Sequence, residues 1–297
     1  MRIGQSRHNA KNEVREERKA QGKSLSAVDI RVDTIHSMNT YNTYLEHCTH
    51  FVDWCIKEKG VNKYSSLNKI EKYAKEYLQY REEKGLSLYT LKAEKAALGK
   101  LYSHEIDYKF KESRTIDKIT RSRKDTERQK HFSEERNKDL VNIAKGTGGR
   151  REDIAKLTRN CFFTDKNGNM FVKFEQSKGG RDRIAPVLPA YQKEIEIFIK
   201  TKEKKEPLFD KIHNAADIHA YRREYAQELY KNVCDSKELR EEYAKMYPLR
   251  NEQNIKGDYY IAHDKNLPFK GLRDNIYIVS EALGHNRLDV SVNHYLK

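Results

Sequence analysis

Residues 161–187 read CFFTDKNGNMFVKFEQSKGGRDRIAPV, and this stretch decides the fold. It holds three short apolar runs: Cys161-Phe162-Phe163, Met170 to Phe174, and a third through Ile184 and Val187. The first turn, Asp165-Lys166-Asn167-Gly168-Asn169, sets Asn-Gly between two apolar runs, the strongest short-range hairpin signal. The second, Ser177-Lys178-Gly179-Gly180, leads into the third strand. A three-stranded antiparallel sheet is expected here. Around it the apolar period is helical. One helix passes through Leu140, Val141 and Ile143, and another runs from about Arg151 to Leu157. Helices resume at Tyr191 to Lys200 and continue, with interruptions, to the end. The expected fold class is mostly α with a small three-stranded antiparallel sheet.

Upstream, the chain reads as a separate helical domain. Tyr41, Tyr44, Leu45, Cys48, Phe51, Val52, Cys55 and Ile56 fall at i, i+3, i+4, i+7 spacing, an apolar stripe on one helix face. A second helix follows through Ile70, Tyr73, Ala74, Tyr77 and Leu78. Gly85 ends it, and Ser87 is the expected N-cap of a third helix through Leu91, Leu98, Leu101 and Tyr102. The expected organisation is a basic N-terminal arm (1–23), a helical domain (24–108), a basic linker (109–130) and a second, mixed α/β domain (131–297). The arm carries seven basic and three acidic residues. A frayed tail and a DNA-touching arm both fit it. The linker carries nine basic residues against four acidic ones, among them Arg114, Lys118, Arg121, Arg123 and Lys124. A linker this basic is expected to lie against phosphates.

Over 297 residues the chain has 59 Lys+Arg and 45 Asp+Glu, a net charge of +14. Such an excess points to an anionic partner, nucleic acid first, and does not separate RNA from DNA. No stretch approaches the ~20 apolar residues of a membrane span, and Met1 opens a charged segment without a signal-peptide apolar region. A cytoplasmic, nucleoid-associated bacterial protein is therefore expected, with no membrane partner. The four cysteines, Cys48, Cys55, Cys161 and Cys234, show no C-x-x-C pair and no zinc-like spacing, so reduced thiols are expected. Cys48 and Cys55 lie on the apolar stripe, where packing accounts for them.

Five local patterns in the second domain belong together. Thr147-Gly148-Gly149-Arg150 precedes a helix carrying Asp153 and Leu157. Lys178 sits at a hairpin tip, followed by Gly179, Gly180, Arg183 and Pro186. His219 and Arg222, at i and i+3, share one helix face. Leu283-Gly284-His285 lies near the end, and Tyr295 ten residues later. Singly, each reads as a loop, a solvated side chain or packing. Their joint order, Arg, Lys, His-x-x-Arg, His, Tyr, within one domain is the informative signal.

That order resembles the tyrosine recombinases, the phage integrase family, over the whole second domain. The residues that carry it are Thr147 to Ile154 with Leu157, Ser177-Lys178-Gly179-Gly180 through Arg183 to Pro186, His219-Ala220-Tyr221-Arg222, Leu283-Gly284-His285 and Tyr295. The first domain looks like the family's helical core-binding domain through its helix pattern and the Gly85-Leu86-Ser87 to Leu98 stretch. Two Arg forks and a His donor make a cage for a phosphate whose charge grows in the transition state. The resemblance implies that Arg150 and Arg222 clamp the scissile phosphate and that His285 assists them. It makes His219 the general base, Lys178 the acid for the departing 5′-oxygen and Tyr295 the nucleophile. A free phenol titrates near ~10, so deprotonation needs the cations and a base. Asp153 matches an acidic position expected to orient the site. Arg181 and Arg183 are expected DNA contacts. Neither metal nor cofactor is implied, since the bond energy stays in the phosphotyrosyl link and no P-loop or metal-ligand cluster is visible.

Three features depart from the family pattern. Position 223 is Arg where His is common. The gap from Arg222 to His285 is long, and 235–270 reads as an insertion whose role is open between solvated decoration and contact with DNA or a neighbouring subunit. The chain stops two residues after Tyr295, so coupling through a helix beyond the nucleophile is expected to be absent or supplied by another surface, unless the chain is truncated. The implied function is site-specific DNA recombination through a covalent 3′-phosphotyrosine, integrating or excising a mobile element. The implied partners are a duplex recombination site, a homotetramer on that DNA in which each chain closes as a C-shaped clamp, and accessory bending or directionality proteins. A type IB topoisomerase and a non-catalytic architectural DNA-binding protein are the alternatives. Target sequence and direction of reaction are not readable.

Overall fold

The computed structural model describes residues 4, 7–23, 34–112, 132–177, 181–247, 258–262, 268–285 and 287–296. The chain divides into two compact units, Met1–Lys118 and Ile119–Lys297. The linker cations Arg114, Lys118, Arg121, Arg123 and Lys124 lie outside the described residues, as does Lys178.

The first unit is helical. A helix the sequence reading did not assign, α1 (Arg7–Ala20), spans most of the basic arm, followed by α2 (Met38–Lys59), α3 (Leu67–Ile70), α4 (Ala74–Glu83) and α5 (Leu88–Tyr102). Ser37 caps α2 by accepting from the Thr40 amide, and Gly60 ends it at φ 62°, the left-handed geometry glycine adopts freely. Ser87 caps α5 in the same way through Thr90. Phe51, Cys55, Ile70, Ala74, Tyr77, Leu78 and Leu98 close the core, with Trp54 packed edge-on against Tyr77. The stripe on α2 is rotated from expectation. Leu45 and Ile56 are exposed, whereas Trp54 is buried, because the Trp54 ring fills the space between α2 and α4.

The second unit runs α6 (Lys138–Thr147), α7 (Arg151–Ala155), β1 (Phe162–Thr164), β2 (Met170–Ser177), β3 (Arg181–Pro186), α8 (Pro189–Lys200), α9 (Ile218–Asp235) and α10 (Lys237–Lys245). It continues through β4 (Tyr259–Ala262), β5 (Phe269–Leu272), α11 (Arg273–Ala282) and α12 (Leu288–Ser291), which passes into a π turn at Val292–Leu296. The expected sheet forms in the order β1-β2-β3, antiparallel throughout, with Val172 opposite both Phe162 and Ala185. In its first turn the Asp165 carboxylate accepts from the Asn167 and Asn169 amides, and Gly168 takes φ 86°.

A second sheet, the antiparallel pair β4-β5, begins inside the stretch read as an insertion and ends just past it, at Leu272. That stretch is not wholly a solvated decoration. Tyr243 and Tyr247 from α10 and the residues after it are buried, Tyr243 edge-on to Phe171 of the main sheet and Tyr247 donating to the Ile184 carbonyl at 3.2 Å. Among the described residues, no helix is long and apolar enough to cross a membrane.

Candidate active site

Helix α6 ends where the site begins. Gly148 sits at φ 61°, and a Cβ there would overlap the buried Tyr225 ring of α9. Only glycine both turns the chain left-handed and admits that ring. The turn delivers Arg150 to the N-cap of α7, with its backbone N–H donating to Asp153 at 3.2 Å. Its guanidinium donates to Ser177 Oγ at 2.9 Å and to the Leu283 carbonyl at 3.0 Å.

Arg222 enters from α9 and is 1% exposed. It donates to the Gly148 and Leu283 carbonyls, and its Nε to Tyr295 Oη at 3.4 Å. Arg183 enters from β3, donating to the Ala282 carbonyl and to Asp153 at 2.9 Å while stacking on Phe174. Three guanidiniums therefore gather on carbonyls at the C-terminal end of α11. The partial negative charge of a helix C-terminus is what makes the gathering tolerable.

Asp153 is the acidic partner of this cluster. Its own burial disfavours charge, but Arg183, Ser177 and the Arg150 amide hold its carboxyl below the usual range. Burial and then repulsion from Arg222 push Arg150 down to about 10 and Arg183 to about 9. Three cations against one carboxylate leave an excess of positive charge out of water, which an anion would relieve.

Tyr295, 6% exposed in the π turn, lies against this cluster. The His285 ring centroid is 5.1 Å from its own and the His219 centroid 5.7 Å, with the Arg222 guanidinium 5.7 Å from the ring. Burial, then Arg222 and Arg150, drive His285 down to about 3. Burial and Arg222 lower His219 as well, so both rings are neutral. His285 Nδ1 is 3.2 Å from Ser291 Oγ, which leaves Nε2 for a substrate.

The sequence-derived set thus converges, with Arg150, His219, Arg222, His285 and Tyr295 in one place and Asp153 beside them. Arg181 is exposed on β3. Arg183, expected as a DNA contact, lies inside the cluster. It is 8% exposed, because its side chain turns inward to Asp153 and α11. The replaced position, Arg223, is half-buried on α9.

Reading the sequence also missed Arg151. Its guanidinium collects the carbonyls of Ile212, His213, Asn214 and Ala216, at 3.4, 2.9, 3.3 and 2.5 Å. These carbonyls belong to the loop that leads through the N-cap Asp217 to His219. The lone signal available was a second arginine beside Arg150, which reads equally as a solvated charge.

No family model matches the sequence, and no curated protein matches it. Among solved structures, the chain is similar to XerH site-specific recombinase bound to palindromic difH substrate in a post-cleavage complex. The TM-score is 0.52 at 19% identity, over 97% of this chain and 81% of that one. The XerH pre-cleavage complex with difH gives 0.49 at 19% identity, over 96% and 81%. The Tn1549 transposon integrase in complex with circular intermediate DNA gives 0.46 at 12%, over 98% and 95%. The first of these likenesses shows the fold. The chain is mostly helical with a small three-stranded antiparallel sheet, and it shares its fold with the XerH recombinase.

Proposed function

We propose that the chain is a site-specific DNA recombinase that cleaves and rejoins DNA strands through a 3′-phosphotyrosine at Tyr295. The observation that carries this reading is the placement of the Tyr295 hydroxyl on Arg222, with its ring against those of two neutral histidines and near Arg150. Tyr295 Oη attacks phosphorus, the new P–O bond replaces the bond to the 5′-oxygen, and the phenolic proton passes to His219. A neutral His219 is the form that accepts it. Arg150, whose side chain is 22% exposed, and Arg222 hold the non-bridging oxygens as their charge grows. Arg222 spends one N–H on Tyr295 and two on carbonyls, which leaves two of its five for the phosphate. Lys178 protonates the departing 5′-oxygen. Rejoining is the same path reversed, with a 5′-hydroxyl from the exchanged strand as nucleophile, so the bond energy is conserved and neither ATP nor metal is required.

The partner is a duplex recombination site, gripped through phosphates by the arm and the linker cations. Exchange between two duplexes calls for four protomers on the DNA, with bending or directionality proteins as accessories, acting in the bacterial cytoplasm. The N-terminal helical unit serves as the core-binding domain and 131–297 as the catalytic domain. The test uses a nicked suicide duplex built from the junction sequences that flank the gene. The wild type becomes covalently attached, and Arg150→Ala loses attachment far more than binding. Equal losses in both would reduce Arg150 to an anchor.

A further inference from the structure

The helical unit carries a cluster of chemistry of its own. His47 and His50 lie one turn apart on α2 and share a face, and Glu94 reaches the same place from α5. One ligand-capable atom from each falls within 4.8 Å of the others. Glu94 is fully buried, and the His47 side chain is 14% exposed, with Nδ1 3.8 Å from a Glu94 oxygen. That Nδ1 is buried with no hydrogen-bond partner, which is a cost unless something occupies it.

We propose that His47, His50 and Glu94 form a binding site for a divalent transition metal of the zinc type. Two imidazoles and one carboxylate are a ligand set that zinc takes with a fourth position open to water. Ligand bonds of about 2.0–2.2 Å place tetrahedral donors roughly 3.4 Å apart, so small side-chain rotations close the observed spacing. His50 is exposed and gives the ion its way in. Arg81 grips the Glu94 carboxylate, with Nη2 at 2.7 Å and Nε at 3.0 Å from one oxygen and Nε at 3.3 Å from the other. A carboxylate has about four lone-pair positions, so these three contacts orient Glu94 and leave about one position, on the second oxygen, for an ion. The bound ion would tie α2 to α5 across the core of the unit. Local spacing could not disclose the site, because its third ligand comes from a different helix.

The experiment titrates metal-free full chain with Zn²⁺ against a chromophoric chelator and follows thermal unfolding with and without Zn²⁺. One equivalent is expected to bind, at least about tenfold more weakly in His50→Ala and unchanged in His104→Ala, a histidine outside the cluster. Zn²⁺ should raise the unfolding midpoint of the wild type and leave that of His50→Ala where it was. His50 is exposed, so the metal-free midpoint of that variant should match the wild type's. Failure of the wild type to bind an equivalent, or an affinity unaltered in His50→Ala, overturns the proposal.

Discussion

A histidine ringed by arginines is a poor cation, and this has a consequence for stability. In the folded chain His285 titrates at about 3, against an ordinary value of 6.5. Between those values the unfolded chain binds a proton that the folded chain does not, so stability falls as pH drops from neutrality toward 3. His219 adds to the loss in the same direction, and Asp153 follows at the acid end, as its depressed carboxyl is protonated. Thermal unfolding of the DNA-free protein should shift to lower temperature between pH 7.5 and 4.5, and the shift should be smaller in His285→Gln. Equal shifts in both proteins would contradict the cage around His285. The five convergent side chains were legible because their residue types fall in an order that resembles a known family. The burial of Arg183 was not legible because a charged residue next to a turn resembles a surface residue, and its partners, Asp153 and the Ala282 carbonyl, are far away in sequence. The Leu283 carbonyl that joins Arg150 to Arg222 was illegible for a different reason. Every residue has a carbonyl, so an acceptor of this kind leaves no mark in residue type.

Elements place these groups through a few tight junctions. Between α6 and α7 the chain turns at Gly148, with no room beside Tyr225 and a positive φ. Gly148→Ala should destabilise the protein by about 2 kcal/mol or more, since backbone strain and overpacking act together. Chemical denaturation checks this, and a change under about 0.5 kcal/mol would mean that the junction is not tight. The Asn167-Gly168 hairpin and the Ser37 and Ser87 caps follow from local rules; only Asn167-Gly168 and Ser87 were read in advance. The rotated stripe on α2 did not follow, because the choice of Trp54 over Leu45 is made by α4 packing across from it. The β4-β5 pair was hidden in a charged stretch whose strands are four residues each. Two of its side chains, Tyr259 and Ile261, remain exposed, so the apolar alternation there is weak.

At the scale of the whole molecule, the proposed function and the net charge of +14 together predict a DNA affinity that is largely electrostatic. Neutralising 6–10 phosphates would lower affinity by roughly 10³–10⁵ between 50 and 200 mM salt. Fluorescence anisotropy with a duplex of arbitrary sequence reads this directly, and a nearly flat salt dependence would argue against a phosphate-bound arm and linker. Net charge points to an anionic partner without saying what is done to it. The cage around Tyr295 adds the chemistry, and it makes a claim that a single measurement decides. Wild-type protein and Tyr295→Phe are each incubated with the nicked suicide duplex, and the trapped adduct is digested and sequenced by mass spectrometry. The wild type should yield a nucleotide-linked peptide modified at Tyr295, while Tyr295→Phe binds the duplex and yields no adduct. A covalent adduct on Tyr295→Phe, or one mapped to another residue, would contradict the account.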